Sequence, residues 1–341
     1  MLHFECDYLE GAHPRILEKM LETNLDQTPG YGQDEHCRRA KELIRQACQA
    51  PEADVWFLVG GTQTNSTVIR AILRNYEGVL SPETGHVTGH EAGAVEATGH
   101  KVITMPAVHG KITAETLEAT MEKFLGDSSR AFAVRPGMLY ISLPTEYGTN
   151  YSLAELEALR ALCDRYELPL FIDGARLGYG LVAPDSDVTL ADVARIADVF
   201  YIGGTKVGAL FGEAVVITNP KLMPHFWTTM KQSGAVLAKG RLLGIQFECL
   251  FEDDLYFTVS RHAVRLANRL SDALVEKGYT LPFVTKTNQI FVEVSEEERQ
   301  RLSGVTTFAH WEALPGNRHV IRFVTSWATK EEDVDALIAA L

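Results

Sequence analysis

Cysteines and long apolar runs, which would indicate a disulfide-rich, metal-binding or membrane protein, are scarce in this sequence. Its 341 residues include only five cysteines, an odd number that are widely spaced and form no C-x-x-C pair. This pattern argues against a disulfide framework or a structural zinc site and fits a reducing compartment. No run approaches the ~20 apolar residues of a membrane span, and even the apolar stretch 209–218 is interrupted by Glu213. We therefore expect no membrane partner and no metal centre.

Positive charge is also in short supply. Lys and Arg number 32 against 45 Asp and Glu, which gives a net charge of −13. A nucleic acid is therefore not expected as a partner, because a surface that binds one is basic. The first ten residues hold three acidic residues, with no basic region and no apolar core. We expect no signal peptide here and a cytoplasmic protein.

The sequence does contain a regular alternation of short apolar runs and helical stretches. The apolar runs lie at 55–59, 100–105, 138–143, 168–172 and 198–202. Helices are predicted at 14–24, 34–49, 63–74, 152–165 and 188–196, the fourth beginning with a capping box of Ser152 and Glu155. Almost wholly apolar strands that alternate with helices predict an α/β fold, in which helices cover both faces of a mostly parallel sheet.

After about residue 218 the pattern changes. Long helical stretches are predicted at 221–250 and 258–277, strands at 289–294 and 319–324, and a closing helix at 330–340. This composition indicates a smaller α+β unit. We therefore predict an N-terminal arm (1–14), a large domain (15–228) and a small C-terminal domain (229–341).

Two motifs stand where predicted strands end, which is where sites gather in open α/β sheets. Gly60-Gly61-Thr62-Gln63-Thr64-Asn65 follows the first apolar run and opens a helix. Such a helix N-terminus binds an anion, although a tight turn with a good cap explains the motif equally well.

Asp173 ends another strand, where burial is costly unless the carboxylate is paired. The structural alternative is a helix cap or an ion pair with Arg176.

A third motif places Lys206 between glycines directly after a buried strand. A desolvated lysine has a lowered pKa and attacks carbonyl groups, whereas the structural alternative is a side chain that reaches from a loop to solvent. The combination is more specific than its parts. An anion-binding turn, a strand-end Asp and a lysine 33 residues later match pyridoxal phosphate, which needs a phosphate cradle, an acid for its ring nitrogen and an amine for its aldehyde.

Further motifs occur in a fixed order along nearly the whole chain. They are F-x-C-D (4–7), G-x-H-P (11–14), Y-G-x-D (31–34), G-T-x-x-N (61–65), T-E-Y-G-T (145–149), D-G-A-R (173–176), G-G-T-K-x-G (203–208), K-Q-x-G (231–234) and R-F-V-T (322–325). The ordered set resembles the threonine aldolases, within the fold-type I pyridoxal-phosphate enzymes that also include the aromatic amino acid β-eliminating lyases. The resemblance implies an aminotransferase-like fold and a homodimer or homotetramer.

The resemblance also implies roles for the cofactor-binding residues. Lys206 would bond to the aldehyde of the cofactor, and Asp173 would keep its ring nitrogen protonated. Gly61, Thr62 and Asn65 would bind the phosphate. Lys231 would reach a phosphate across a subunit interface.

Other roles concern the substrate. Arg176 and Arg322 would hold the substrate carboxylate, a use that suits the forked guanidinium, and Arg176 would also contact the cofactor. Cys6 stands where the family has a serine that contacts substrate or cofactor.

Proton transfer is assigned to two histidines. The resemblance aligns His86 with a histidine that stacks on the cofactor ring, and an imidazole there can also relay a proton near neutral pH. His90 would be a second relay. Many family members have a further histidine shortly before the T-E-x-G-T motif, but residues 131–137 contain none. The identity of the catalytic base therefore stays open.

These inferences lead to one predicted activity and its alternatives. We predict retro-aldol cleavage of a β-hydroxy-α-amino acid, in which threonine or allo-threonine gives glycine and acetaldehyde. A β-eliminating lyase or a racemase on the same scaffold is the main alternative. A non-catalytic binding protein is disfavoured because Lys206, Asp173, Arg176 and Arg322 are all present. A dinucleotide-binding dehydrogenase is disfavoured because the first turn lacks G-x-G-x-x-G spacing.

Overall fold

Seven strands form a central sheet with the order β2-β8-β7-β6-β5-β3-β4. The computed structural model describes residues 1–341. The strands of this sheet are β2 (Asp54–Leu58), β3 (Glu77–Pro82), β4 (Val102–Met105), β5 (Arg135–Ser142), β6 (Leu170–Asp173), β7 (Val199–Gly203) and β8 (Glu213–Ile217). Only β8 runs against the others, since it pairs antiparallel with both β2 and β7. The predicted α/β fold with a mostly parallel sheet is confirmed.

The remaining strands lie near the two ends of the chain. A three-stranded antiparallel sheet has the order β11-β12-β9, and a two-stranded parallel ribbon joins β1 to β10. These strands are β1 (Leu2–His3), β9 (Gln289–Ser295), β10 (Thr306–Thr307), β11 (Ala309–Leu314) and β12 (Arg318–Val324). The ribbon ties the first residues of the chain to its C-terminal part.

Thirteen α-helices connect or cover the strands. They are α1 (Pro14–Glu22), α2 (Glu35–Ala47), α3 (Gly61–Ile72), α4 (His86–Gly89), α5 (Ala114–Gly126), α6 (Leu153–Tyr166), α7 (Leu177–Leu181), α8 (Leu190–Ile196), α9 (Phe226–Gln232), α10 (Arg241–Phe251), α11 (Leu255–Glu276), α12 (Glu296–Ser303) and α13 (Glu331–Ala340). The capping box predicted at Ser152 and Glu155 is present at the start of α6. None of the helices combines the length and the apolar character needed to cross a membrane.

Both faces of the central sheet are buried. Along β5, Met138 and Tyr140 belong to one apolar cluster, whereas Leu139 and Ile141 belong to the cluster on the opposite face. This alternation follows from the two-residue period of a strand. It explains why these strands appear in the sequence as continuous apolar runs.

Two strands of the central sheet were not predicted from the sequence. β3 contains Gly78 and Pro82, so it has no long apolar run. β8 begins with Glu213, a charged residue that is only 4% exposed in the structure. In both strands, neighbours in the sheet override the local sequence preference.

The C-terminal part also differs from the prediction in detail. The single helix predicted at 221–250 is wrong, because a loop that contains Gly234, with a φ of +71°, separates α9 from α10. The strand β11 and the helix α12 were also missed. The predicted division at residue 228 stays a prediction. One apolar cluster extends from Ala12 to Val264, and another joins Phe4 to residues between Leu266 and Leu337.

Candidate active site

One cavity lies at the edge of the central sheet where the carboxyl ends of the parallel strands meet. It has a volume of about 570 Å³, and the loops that follow β2, β3, β5, β6 and β7 all contribute to its wall. Ligand sites of open α/β sheets form at this edge. The cavity brings together most of the predicted site residues, namely Gly61, Thr62, His86, His90, Asp173, Arg176, Lys206 and Arg322.

The loop after β2 supplies free backbone N–H groups. Gly60 is the N-cap of α3 and has no side chain to accept a hydrogen bond from the first turn. The N–H groups of that turn are therefore available to an anion. A side chain at Gly61 would lie 3.2 Å from the hydroxyl of Tyr201, so glycine keeps this approach open. This end of the cavity can hold a phosphate group.

Asn65 does not reach this turn. It is completely buried further along α3, and its Nδ2 donates to Oδ2 of Asp173 at 2.9 Å and to Oε1 of Glu91 at 2.7 Å. The structure therefore places Asn65 behind Asp173 and not at the phosphate site that was predicted for it. The amide of Asn65 supports two carboxylates behind the cavity wall.

Asp173 is the best-supported acidic group of the site. Its carboxylate accepts hydrogen bonds from the hydroxyls of Tyr140 (2.6 Å) and Tyr201 (2.5 Å), from Asn65 and from the backbone N–H of Ala175 (3.0 Å). Burial alone would raise the pKa of Asp173, but the positive charge of His86 and these hydrogen bonds lower it below its ordinary value. The carboxylate is thus held in its ionised form.

Lys206 follows β7 and lines the cavity. Burial, and then the charge of Arg176, lowers the pKa of its ammonium group below the ordinary value. The turn around it is held by Glu213, whose carboxylate accepts from the hydroxyl of Thr205 (2.8 Å) and from the N–H of Gly204 (3.1 Å). Burial raises the pKa of Glu213. An amine whose pKa is lowered loses its proton more readily and is a better nucleophile.

Arg176 is held by a partner from the other end of the chain. Its Nε and Nη2 donate to the carboxylate of Asp7 at 2.7 and 2.9 Å, and Asn288 donates to the same carboxylate at 2.9 Å. The ion pair between Arg176 and Asp173 that was considered as a structural alternative is therefore not formed. With Nε and Nη2 turned towards Asp7, Arg176 has its Nη1 free of protein partners.

Arg322 is held by uncharged partners rather than by a carboxylate. Its Nη1 donates to Oε1 of Gln289 at 2.9 Å, its Nη2 donates to the carbonyl of Glu5 at 3.4 Å, and its guanidinium lies 5.2 Å from the ring centre of Trp311. Burial, together with the charge of Arg176, lowers the pKa of Arg322 to about 10. Because Arg322 lines the cavity and has no carboxylate in contact with it, its charge can bind the carboxylate of a ligand.

The two histidines lie side by side, with their ring centres 5.7 Å apart. Burial would lower the pKa of His86, but its hydrogen bond to Glu91 and the charge of Asp173 raise it above the ordinary value. Burial, and then the charges of His86 and Arg322, lowers the pKa of His90. When the pKa values of two neighbouring groups are shifted in opposite directions, the group with the higher pKa can act as the acid and the other as the base.

The stretch that lacks the family histidine lies away from the cavity. Phe132 is 94% exposed on the surface, and Arg135–Gly137 begin β5 at the edge of the sheet opposite the site. The absence of a histidine there removes no group from this cavity.

Four acidic residues of the site were not assigned a role from the sequence. Asp7 and Glu146 stand within quoted motifs, Glu91 directly follows His90, and Glu213 interrupts an apolar run. Oε1 of Glu146 accepts hydrogen bonds from Ser142 (2.7 Å) and from the backbone N–H of His86 (2.9 Å). An acid inside an apolar strand is costly unless it is paired, and this signal was available for Glu213.

Two further predicted residues do not line the cavity. Cys6 lies on the N-terminal arm next to Asp7, and burial raises the pKa of its thiol. Lys231 is in the last turn of α9, with its Nζ 4.9 Å from the ring centre of Tyr31. Neither residue is therefore part of the cavity of one chain.

The site matches the group that the motifs suggested. The free N–H groups of α3 suit a phosphate, the ionised Asp173 suits a protonated ring nitrogen, and Lys206 suits an aldehyde. All three line one cavity. Arg322, which lines the same cavity, adds a positive charge for a substrate carboxylate.

Comparisons with known proteins agree with this chemistry. A family model described as beta-eliminating lyase matches residues 4–297. The chain is 30% identical to a low specificity L-threonine aldolase from Pseudomonas sp., over 98% of this chain and 96% of the relative. The corresponding protein of Pseudomonas aeruginosa is 29% identical over 98% of this chain and 95% of its own length.

Solved structures give the same picture. A threonine aldolase from Leishmania major superposes with a TM-score of 0.96 and 41% identity, over 99% of this chain and 98% of that chain. A histidinol-phosphate aminotransferase from Clostridium acetobutylicum superposes with a TM-score of 0.74 over 100% of this chain and 98% of that chain. At 13% identity the second match concerns the fold alone. The expected aminotransferase-like fold is confirmed.

Proposed function

Because the chain belongs to the beta-eliminating lyase family and is similar to threonine aldolases over nearly its whole length, we propose that it cleaves a β-hydroxy-α-amino acid by a retro-aldol reaction. Threonine or allo-threonine is split into glycine and acetaldehyde. The observation that carries the proposal is that Lys206, Asp173 and Arg322 line one cavity. The family predicted from the motifs is confirmed.

The residues present fit pyridoxal phosphate as cofactor. Gly61 and Thr62 would hold the phosphate through the free N–H groups of α3, Lys206 would bind the aldehyde and Asp173 would face the ring nitrogen. When bound, this cofactor withdraws electrons from the Cα of an amino acid. Asp173 supports that chemistry because its charge keeps the ring nitrogen protonated.

Arg322 and Arg176 bind the substrate carboxylate. Both residues line the cavity, and Arg176 offers the Nη1 that Asp7 leaves free. A carboxylate fixed by two guanidinium groups cannot rotate freely. The amino acid is thereby oriented for cleavage of its Cα–Cβ bond.

Two protons move during the cleavage. The hydroxyl on Cβ loses a proton as it becomes an aldehyde, and Cα gains a proton when glycine forms. The lowered pKa of His90 leaves its ring neutral near pH 7, so that a ring nitrogen can accept the hydroxyl proton. The raised pKa of His86 favours a ring that already holds a proton.

The main alternative is β-elimination, which the description of the matching family favours. Both reactions use the same lysine, aspartate and arginines, so their products must distinguish them. Cleavage gives acetaldehyde and glycine, whereas elimination gives a keto acid and ammonia.

We also propose that the chain works in the cytoplasm as a homodimer or homotetramer. Five free cysteines, four of them buried, support a reducing compartment. Lys231 is exposed over the ring of Tyr31 and does not line the cavity of its own chain, so we assign it to the phosphate of a second chain.

The test is an identification of products with purified enzyme and added pyridoxal phosphate. L-threonine, L-allo-threonine and L-serine are offered in turn, and glycine, aldehyde, keto acid and ammonia are measured. We expect glycine and acetaldehyde in equal amounts from wild type and neither from Lys206→Ala. Keto acid and ammonia as the main products would contradict the aldolase assignment, and the absence of any turnover would support a binding protein.

A further inference from the structure

Glu91 occupies an unusual position behind the cavity. It follows the short helix α4, and its side chain is completely buried. The chain turns sharply after it, since Ala92 has a φ of +51° and Gly93 a φ of +73°. A left-handed conformation at a residue with a Cβ is strained and persists only when the surroundings fix it. The backbone is thus constrained at the point where Glu91 enters the protein.

One oxygen of Glu91 joins two groups of the site. Its Oε1 lies 2.7 Å from Nδ1 of His86 and 2.7 Å from Nδ2 of Asn65. The same Nδ2 donates to Oδ2 of Asp173 at 2.9 Å. Both hydrogens of a single amide are therefore used to hold two buried carboxylates close together. The result is a continuous chain of hydrogen bonds from Asp173 through Asn65 and Glu91 to His86.

This geometry determines which atom of His86 carries a hydrogen. A carboxylate oxygen that already accepts from an amide can only accept from the imidazole as well, so Nδ1 is the donor. The opposite ring nitrogen, Nε2, is left on the cavity side. We propose that Glu91 is a positioning residue that holds His86 with its hydrogen on Nδ1 and keeps a second proton on Nε2, and that Asn65 ties this pair to Asp173.

The charged groups around His86 shift its pKa in opposite directions. They come from its own loop and from three neighbouring elements, and they are Glu91, His90, Asp173, Glu146 and Lys206. The negative charges favour the protonated ring, and the charges of Lys206 and a protonated His90 oppose it. Of the negative groups, only Glu91 contacts the ring itself. Its removal is therefore expected to have the largest effect.

This inference rests on the proposed aldolase function, and it sharpens the roles of the two histidines. His90, which Glu91 does not contact, stays neutral and accepts the hydroxyl proton. His86 retains a proton at Nε2 and donates it. Activity then requires one ring neutral and the other protonated, so the pH profile of kcat/KM should be bell-shaped.

The first test is an NMR titration of the full chain with isotope-labelled histidine, the signal of His86 being identified with His86→Asn. In wild type we expect the neutral ring to carry its hydrogen on Nδ1, which the nitrogen chemical shifts report. In Glu91→Gln the titration midpoint of His86 should fall by about one unit or more, because a carboxylate in contact with the ring has been replaced by a neutral amide. Glu83→Gln is the matched control, since Glu83 is exposed and accepts only from the N–H of Ala107.

A neutral wild-type ring with its hydrogen on Nε2, or an unchanged midpoint in a folded Glu91→Gln, would overturn the proposal. The wild-type result decides the matter even if the variant fails to fold. The second test is the pH profile of threonine cleavage, in which Glu91→Gln should move the alkaline limb to lower pH by the same shift, with KM little changed. An unmoved limb would contradict the donor role of His86. If wild type cleaves no threonine, the proposed function fails while the NMR result still stands.

Discussion

The two sides of the cavity are built differently. On the acidic side, Asp173 accepts four hydrogen bonds from groups on α3, β5, β6–α7 and β7, all parts of the central sheet region. On the cationic side, Arg176 is held by Asp7 near the N-terminus, and Arg322 belongs to β12 near the C-terminus. The first side forms with the sheet itself. The second requires both ends of the chain to fold against it.

Neither side is fully paired within the protein. Oδ1 of Asn65 and Oε2 of Glu91 lack a hydrogen-bond partner on the acidic side, as Nε of Arg322 does on the cationic side. The difference between the two sides therefore lies in the sign of the charge and in the segments of the chain that hold it.

The largest expected effect comes from removing the charge on the acidic side. Asp173→Asn keeps the shape of the side chain but cannot balance a positively charged ring nitrogen. We expect cleavage to fall by at least about 10³-fold, in the range seen when a key electrostatic group is lost. Steady-state rates of glycine formation measure it. Tyr140→Phe, which removes one of the four hydrogen bonds, should lose far less, and equal losses in the two variants would contradict this account.

The next effect concerns stability on the cationic side. Asp7→Asn breaks the ion pair between the completely buried Asp7 and the largely buried Arg176, so we expect the free energy of unfolding at pH 7 to fall by about 3 kcal/mol. Chemical denaturation measures it. Exposed Asp253, which pairs with Arg15, offers the control Asp253→Asn, which should change stability by less than about 1 kcal/mol.

The same pair predicts the sign of a pH dependence. Burial would raise the pKa of Asp7, but Arg176 and Lys206 lower it below the ordinary value. The unfolded chain therefore binds the proton more tightly, and the contribution of the pair is complete above the unfolded pKa of about 3.9 and lost as the pH falls through the folded value. The stability difference between wild type and Asp7→Asn should shrink on acidification. A difference that grows would show that the carboxylate is not ion-paired.

Substrate binding should respond to Arg322. Arg322→Gln removes the charge and the free donor, so KM for threonine should rise by about 10- to 100-fold, which is the usual value of a charge-assisted hydrogen bond. Arg318→Gln is the control on the same strand, since Arg318 is exposed and pairs with Glu293. A KM equal to that of wild type would place the carboxylate elsewhere.

The smallest effect concerns the aromatic ring beside Arg322. Trp311→Phe keeps an aromatic ring near the guanidinium, and Trp311→Leu does not. Contacts between a cation and a partly exposed ring contribute about 0.5–1 kcal/mol, so Leu should raise KM by about 2- to 5-fold and Phe by less. If Phe and Leu have equal effects, the ring contributes by filling space only.

The contrast between the two sides also explains what could be predicted from the sequence. Lys206 and Asp173 end apolar strands, and local sequence alone places such residues at one edge of a sheet. Asn65 was placed on the correct helix, but its position behind Asp173 depends on how α3 packs, which no local pattern records.

Long-range pairing accounts for most of what was missed. Asp7, the partner of Arg176, is 169 residues away in the chain. The turn that contains Lys206 is held by Glu213, a residue that interrupts an apolar run. The strand β8 was missed for a different reason, since Glu213 is tolerated in a buried strand because Thr205 and Gly204, which precede it in the chain by eight and nine residues, donate to it. The position of a charged residue in a buried segment can be predicted only when the residues that pair with it are known.

The central claim is that Lys206 binds a pyridoxal group on which threonine is cleaved. The most direct measurement is the absorbance spectrum of the purified chain with pyridoxal phosphate, before and after L-threonine is added, for wild type and Lys206→Ala. We predict a visible band in wild type that shifts on addition of threonine as acetaldehyde forms, and no such band in the variant. A band and turnover that both survive in Lys206→Ala would contradict the account.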